Sequence, residues 1–335
     1  MRKLLRARST ENGYVLLMSF TLGHRNYLLN LICNLDRVGK SSDHMIIAAL
    51  DQGAYEWGVR RGLPVFLPKS IRDDQNHSGF EYGTSEFKSV TKMKSRATLE
   101  VLSVGYSVVY TDIDITWFED PLSSLRPYMN EEVGLTIQSN APYHSKPGEK
   151  IRPHYSVGAV ESEPTSNGYE RFNSGLYVAP YSELMLLAFS EIVEQARNGT
   201  QSEQPYFYHV LCTTRWSSIV GSNGCEFRPR QPLPEWPPGQ SFAEYLPVWT
   251  LDRFEHPNGA VMLGPDPCNI YCLGVTAFEN LSHKKVVSAH NNWIVNKNDA
   301  KMLRQKQKGW WYIEEESCSY MSSKNQYVVP NVDKR

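Results

Sequence analysis

No run of apolar residues in this 335-residue chain approaches the ~20 needed for a membrane-spanning helix. The longest, such as Val15 to Met18 and Met45 to Leu50, are far shorter, so no spanning segment is expected. The opening stretch from Met1 to Arg8 is basic but lacks the apolar core of a signal peptide. An excess of charge is also missing: 35 Lys and Arg against 36 Asp and Glu leave a net of -1. Without a basic field, a nucleic-acid partner is not expected. Cysteine is sparse, and its six copies (Cys33, Cys212, Cys225, Cys268, Cys272 and Cys318) contain no C-x-x-C pair, which argues against a zinc site. Five of the six fall after residue 210, where one or two disulfides are expected. Internal repeats and a clean interdomain linker are absent as well. Sequons at Asn76, Asn198 and Asn280 do not decide the compartment.

What is present is an ample core. Apolar residues make up 41% and aromatics 12%, enough for a single large domain. After a polar lead, Tyr14 to Phe20 reads as a buried strand and His24 to Val38 as a helix stopped by Gly39. Met45 to Leu50 is a second strand, Tyr55 to Arg61 a short helix, and Pro64 to Leu67 a third strand. This β-α-β-α-β order is the start of a parallel sheet covered by helices. Ile71 to Thr84 reads as a surface loop, and Lys92 to Val104 as a helix ended by Gly105. Beyond Pro121, Val133 to Ile137 and Gly175 to Val178 look like strands and Ser182 to Arg197 like a helix; proline-dense Arg228 to Gln240 reads as a loop.

The strand Tyr106 to Tyr110 delivers Asp112 and Asp114 to its carboxyl end, the edge where open α/β sheets bind ligands. If that segment stays extended, residues i and i+2 share a side, so both carboxylates can hold one divalent cation. Such an ion offsets the charge of a departing diphosphate. Asp112 could instead simply cap a turn.

The run Gly105 to Pro121, with Phe172-Asn-Ser-Gly175, Glu203-Gln204 and His290-Asn-Asn-Trp293 following in order, resembles the nucleotide-diphospho-sugar transferases of glycosyltransferase family 77. The resemblance spans about residues 13 to 312. It implies an α/β fold of GT-A type, a Rossmann-like mixed sheet flanked by helices. It also implies Mn2+ or Mg2+ as cofactor, a UDP-sugar donor, and a glycan or glycoprotein acceptor. A glycine that the family usually carries four positions after the His-x-Asn asparagine is replaced by Asn296, while Lys301 matches a later basic position.

Carried over residue by residue, the resemblance makes Asp114 the metal ligand between the two phosphates. Asp112 then holds the ribose or completes the shell, and His290 is a further ligand. Asn173 and Gly175 would approach the donor sugar; Glu203 and Gln204 would lie beside the anomeric carbon and acceptor. Ser19, Phe20 and Thr21 could contact the base with Asp51, although Asp51 equally suits a helix N-cap. Lys92, Lys94 and Arg96 precede the metal strand. One of them, with Lys94 taken as the donor contact, would face the diphosphate, unless all are simply solvated. A turn before a strand would equally explain Asn173 and Gly175, and a solvated helix start Glu203 and Gln204.

The implied reaction moves a pentose such as xylose, or galactose, with retention. Two other readings stay open at this level. Asp112-Ile-Asp-Ile-Thr116 also fits haloacid-dehalogenase-like phosphatases with Asp112 as nucleophile, although no late acidic pair follows. Eight tryptophans and 19 tyrosines would also suit an inactive sugar-binding module. The expected division is a lead over 1–12, a nucleotide-sugar half over 13–121, an acceptor half over 122–312 and a tail over 313–335. The expected compartment is the Golgi lumen if an anchor precedes this sequence, and the cytoplasm otherwise.

Overall fold

Apolar strands alternating with one-faced helices build a sheet wrapped on both sides, because each helix must bury its apolar stripe. The computed structural model describes residues 1–69, 84–140, 155–156, 171–211, 226–227, 245–259, 274–292, 298–313 and 318. Outside them lie Asn76, four of the six cysteines, Trp293, Asn296, nearly all of the 71–84 and 228–240 loops, and most of the tail.

The lead is a helix, α1 (Arg2–Arg8), and not merely a polar tail. Leu5 is fully buried in the main core and the Arg8 guanidinium donates to the carbonyls of Ser42 and Asp43. Then follow β1 (Tyr14–Phe20), α2 (Arg25–Val38), β2 (Met45–Ala49), α3 (Gln52–Arg60), β3 (Val65–Phe66), α4 (Ser85–Leu102) and β4 (Ser107–Thr111). The four strands run parallel in the order β3-β2-β1-β4. Every residue of β1 is buried because the sheet is covered on both faces. Val15 and Leu17 pack with Val101, Ala188 and Phe189 on one side; Leu16, Met18 and Phe20 pack with Leu28, Leu31 and Leu35 on the other.

Two helices begin earlier than their apolar periodicity shows, since polar caps start them. Asp51 accepts from the Ala54 amide to cap α3, and Thr84 accepts from Phe87 to cap α4. Gly39 ends α2, and Gly105 takes a positive φ of 89° in the turn before β4.

The rest of the chain adds β5 (Ile115–Trp117), α5 (Pro121–Ser124), β6 (Leu135–Asn140), β7 (Tyr155–Ser156), β8 (Arg171–Ala179), α6 (Glu183–Asn198), α7 (Gln204–Leu211), β9 (Glu226–Phe227), β10 (Leu246–Leu251), α8 (Val275–Ser282), β11 (Ser288–His290) and α9 (Asn298–Gln307). β8 sits antiparallel between β4 and β6, so the sheet is mixed and continues β4-β8-β6-β10-β7. Phe172 to Gly175 therefore lies inside β8, which begins at Arg171, four residues before Gly175, where the apolar pattern alone starts the strand. β5 and β11 pair as a separate two-stranded ribbon.

Helix α2 fastens the late chain to this sheet. The Asn34 amide clamps β5 from both sides, accepting from the Trp117 amide at 2.7 Å and donating to its carbonyl at 2.8 Å. One turn earlier Asn30 donates to the Trp310 carbonyl and accepts from the Tyr312 amide. Between them Cys33 is disulfide-bonded to Cys318. For Cys318 the partner comes from the early helix and not from the late cysteines, because residues 310–313 pack back against α2; the expected bridge among Cys212, Cys225, Cys268 and Cys272 lies outside the described residues.

Candidate active site

The strand order reverses between β1, which is followed outward by β2, and β4; the crevice at such a switch point is where α/β sheets hold ligands. Asp112 leaves β4 at that point. The next residues turn, with the Ile115 amide bonded back to the Asp112 carbonyl at 3.3 Å, so the segment 112–114 is not extended as the i, i+2 argument assumed. The turn, not strand alternation, brings the two carboxylates together.

β5 begins immediately after Asp114 and pairs with β11 so that His290 stands opposite Ile115. This register puts the His290 Nε2 3.1 Å from Asp114 Oδ1 and 3.8 Å from Asp112 Oδ2. The Asn291 amide also holds the Asp114 carbonyl at 3.0 Å.

The tautomer of His290 follows from its neighbours. The Gln138 Nε2 donates to the His256 backbone carbonyl, which can only accept, so Gln138 Oε1 is the face turned to His290 Nδ1 at 2.8 Å. Nδ1 therefore carries a proton and donates, which leaves Nε2 as the nitrogen turned to the carboxylates, where a bound cation would find it. Such an outer hydrogen bond is the usual support of a metal-binding imidazole.

Asp112 is held from the other side. Lys94 Nζ lies 2.8 Å from Oδ1 and 3.0 Å from Oδ2, and the Tyr110 hydroxyl donates to Oδ1 at 3.0 Å. Having given its proton away, Tyr110 accepts from Ser19 Oγ at 2.7 Å. Its ring stacks on Tyr177 with centroids 4.9 Å apart, and burial with the Asp112 charge raises its pKa well above the usual tyrosine value. Burial alone would lower the pKa of Lys94, but Asp112 and Glu203 outweigh it and hold the ammonium above the ordinary lysine range. For Asp114, burial pushes upward while Lys301, 2.6 Å away, and His290 prevail and keep the carboxyl well below its usual range.

Glu203 is buried, not solvated: its carboxylate lies 3.4 Å from Lys94 and accepts from Ser174 Oγ at 2.8 Å. Gln204 accepts from the Ser174 amide at 3.3 Å. The β8 stretch between them and the aspartates is bulged, since Ile137 pairs with Tyr177 but Gln138 already pairs with Asn173. On its other edge the β4–β8 ladder runs on past Thr111 and Leu176, the Asp112 amide donating to the Gly175 carbonyl at 2.6 Å, and Asn173 Oδ1 accepts from the Gly175 amide at 2.9 Å. A Cβ on Gly175 would meet Asp112 Oδ2 at 2.8 Å and collide with the His290 ring. Only glycine permits this approach.

Thus Asp112, Asp114, His290, Lys94, Ser19, Asn173, Gly175, Glu203 and Gln204 come together. Three residues expected at the base stand outside this cluster. Phe20 packs on Trp57, Thr21 bonds His24 at 2.8 Å, and Asp51 is fully buried with one oxygen on Ala54 and the other on the Leu22 amide. Sequence reasoning missed Tyr110 and Gln138; the latter follows the short apolar run of β6 among other polar residues, with no signal of its own. Lys301 it noted only as a basic position.

The residues present fit a divalent cation. One ligand atom each from Asp112, Asp114 and His290 lie within 4.8 Å of one another, near enough that one small cation would be held by all three. Two carboxylates and an imidazole suit Mg2+ or a harder transition ion, and the absence of thiolate disfavours a structural zinc.

A mixed α/β sheet with an Asp-x-Asp turn and a converging histidine at its switch point is an arrangement that fits a divalent cation. The family model described as nucleotide-diphospho-sugar transferase matches residues 40–305, and the chain belongs to that family. The phosphatase and the inactive-module readings are not favoured by this membership. Beta-arabinofuranosyltransferase RAY1 of Arabidopsis thaliana is 29% identical over 315 residues, covering 93% of this chain and 50% of that protein. UDP-D-xylose:L-fucose alpha-1,3-D-xylosyltransferase 1 of the same plant is 22% identical, covering 91% of this chain and 72% of its own length. This chain spans about half the length of the first of these, 50%, and 44% of a related xylosyltransferase, MGP4. Among solved structures, the galactosyltransferase LgtC with donor and acceptor sugar analogs aligns with a TM-score of 0.44 at 13% identity, covering 88% of this chain and 94% of that one.

Proposed function

We propose that this chain transfers a sugar from a UDP-sugar to a hydroxyl of a glycan or glycoprotein, with a divalent cation, Mn2+ or Mg2+, held by Asp112, Asp114 and His290. The carrying observation is the convergence of those three side chains, with His290 Nε2 turned toward the carboxylates and Nδ1 held by Gln138. The cation would supply Lewis-acid neutralisation of the diphosphate.

The chain's own residues divide the remaining work. Lys94 and Lys301 now neutralise Asp112 and Asp114; with a donor in place they stand where phosphate oxygens arrive. Gly175 leaves room for the donor sugar, and Asn173 fixes the backbone there. Glu203, with Gln204 beside it, supplies negative and dipolar character for the positively charged ring of the transition state. The bond from the anomeric carbon to the diphosphate breaks as the acceptor oxygen bonds to that carbon. The acceptor proton passes to the departing phosphate, and attack from the departing side retains the configuration. The relatives named for arabinofuranose, xylose and galactose transfer favour a pentose or galactose as the donor sugar.

A lumenal compartment, the Golgi in particular, is part of this reading, supported by the Cys33–Cys318 disulfide, which persists in oxidising surroundings. Calorimetry with UDP tests the reading. Binding should require Mn2+, vanish with EDTA and vanish in Asp112→Ala with Asp114→Ala; UDP binding indifferent to both would overturn it.

A further inference from the structure

The face of α4 turned away from the aspartates borders a cleft of about 460 Å³ that the proposed transfer leaves unused. Lys88, Lys92 and Arg96 line it at successive i, i+4 positions, a row rising about 6 Å per step along the helix axis. Arg197, at the end of α6, adds a fourth cation, and Thr200 closes one end. Lys94 lies two positions from both Lys92 and Arg96, which points it to the opposite side, into the carboxylate cluster.

Among the described residues, no ion pair joins any of the four cations to a carboxylate. Lys92 donates only to the Gly199 carbonyl at 2.7 Å, and Arg96 touches the Met93 sulfur at 3.7 Å. Burial first, then Arg96 and Lys88, lower the pKa of Lys92; burial and then Arg197 lower that of Arg96. Like charges at i, i+4 weaken a helix, so their accumulation in a chain of net -1 is a local arrangement and not a consequence of overall basicity.

We propose that this cleft binds a carboxylate-bearing stretch of the glycan acceptor, an inference that rests on the transferase reading. A row of cations extending about 12 Å along the helix matches charges repeated along an oligosaccharide better than a single compact anion. Along the chain, Thr200 of the cleft lining is followed three residues later by Glu203, which touches Lys94 and Ser174 beside the aspartates.

The test is calorimetry on the full chain at low salt with an oligomer of uronic acid, its carboxyl-reduced neutral counterpart, a single-stranded RNA and inorganic sulfate. The uronate oligomer should bind and weaken with added salt, and the neutral oligomer should not bind. Lys88→Gln with Arg96→Gln should weaken the uronate oligomer about tenfold, as expected for two partly exposed charge contacts. UDP binding with Mn2+ should be unchanged in that variant, which also shows that it is folded. Equal affinity for the neutral oligomer, unchanged affinity in the double variant, or equal or tighter binding of RNA or of sulfate at the same concentration would overturn the proposal. Metal-independent UDP binding in the unaltered chain would remove the transferase reading while leaving the measured preference for the acidic oligomer standing.

Discussion

Asp112 and Asp114 are two positions apart but answer to different parts of the molecule. Asp112 is tied to the early sheet and its helix through Tyr110, Ser19 and Lys94, with the β8 bulge behind it. Asp114 is tied to the late chain through His290 and Lys301, which are 176 and 187 residues further along. The Asp112 side is a framework of buried hydrogen bonds in which a lysine satisfies two carboxylates. The Asp114 side is brought in by a two-stranded ribbon and by α9, and anchored through α2. The contrast teaches that one side of the pair is built into the fold and the other is delivered to it.

The largest expected effect breaks the built-in side. Lys94→Met leaves Asp112 and the buried Glu203 without their shared cation and should cost about 3–5 kcal/mol by urea unfolding. Lys301→Met removes a more exposed partner, 27% accessible, from Asp114 alone and should cost about 1 kcal/mol. Equal losses would erase the contrast.

A somewhat smaller effect probes the delivered side through pH. Burial lowers the pKa of His256 to about 4, and its backbone carbonyl positions Gln138. Between about pH 4 and 6.5 the unfolded chain binds a proton at this residue that the folded chain refuses. Stability from this group is therefore complete above pH 6.5 and declines by about 3 kcal/mol as pH falls toward 4. His256→Gln should flatten that slope in unfolding curves measured across the window; an unchanged slope would assign it to other groups.

The smallest effect is the sharpest for His290. Gln138→Leu removes the acceptor that fixes the imidazole tautomer and should weaken Mn2+ binding roughly 10- to 100-fold, read by calorimetry. If affinity is unchanged, Nε2 is not a metal-facing atom.

Much of the early framework was legible from pattern. β1, β2 and β4 are continuous apolar runs because their sheet is covered on both faces, and α2 shows its period plainly. The helix start at Thr84 was missed because a capping residue precedes the apolar repeat; at Asp51 the N-cap reading holds, although the apolar pattern begins that helix only at Tyr55. β8 was read short because its first half is the polar Asn173-Ser174-Gly175 stretch, and a bulge breaks the alternation on which a strand reading depends. The Cys33–Cys318 pairing was not legible either, since spacing along the chain says nothing about a segment that folds back over α2.

By itself the sequence determined the acidic pair at a strand end, the order of the later polar blocks and, through their joint resemblance, the family. Those are local or ordered features, carried by adjacent residues. Only the tertiary structure decided that a turn, not an extended strand, joins the two carboxylates, which lysine neutralises each, and which nitrogen of His290 is turned to them. Those outcomes depend on residues brought together across as many as 187 positions, where packing and strand register choose the partners.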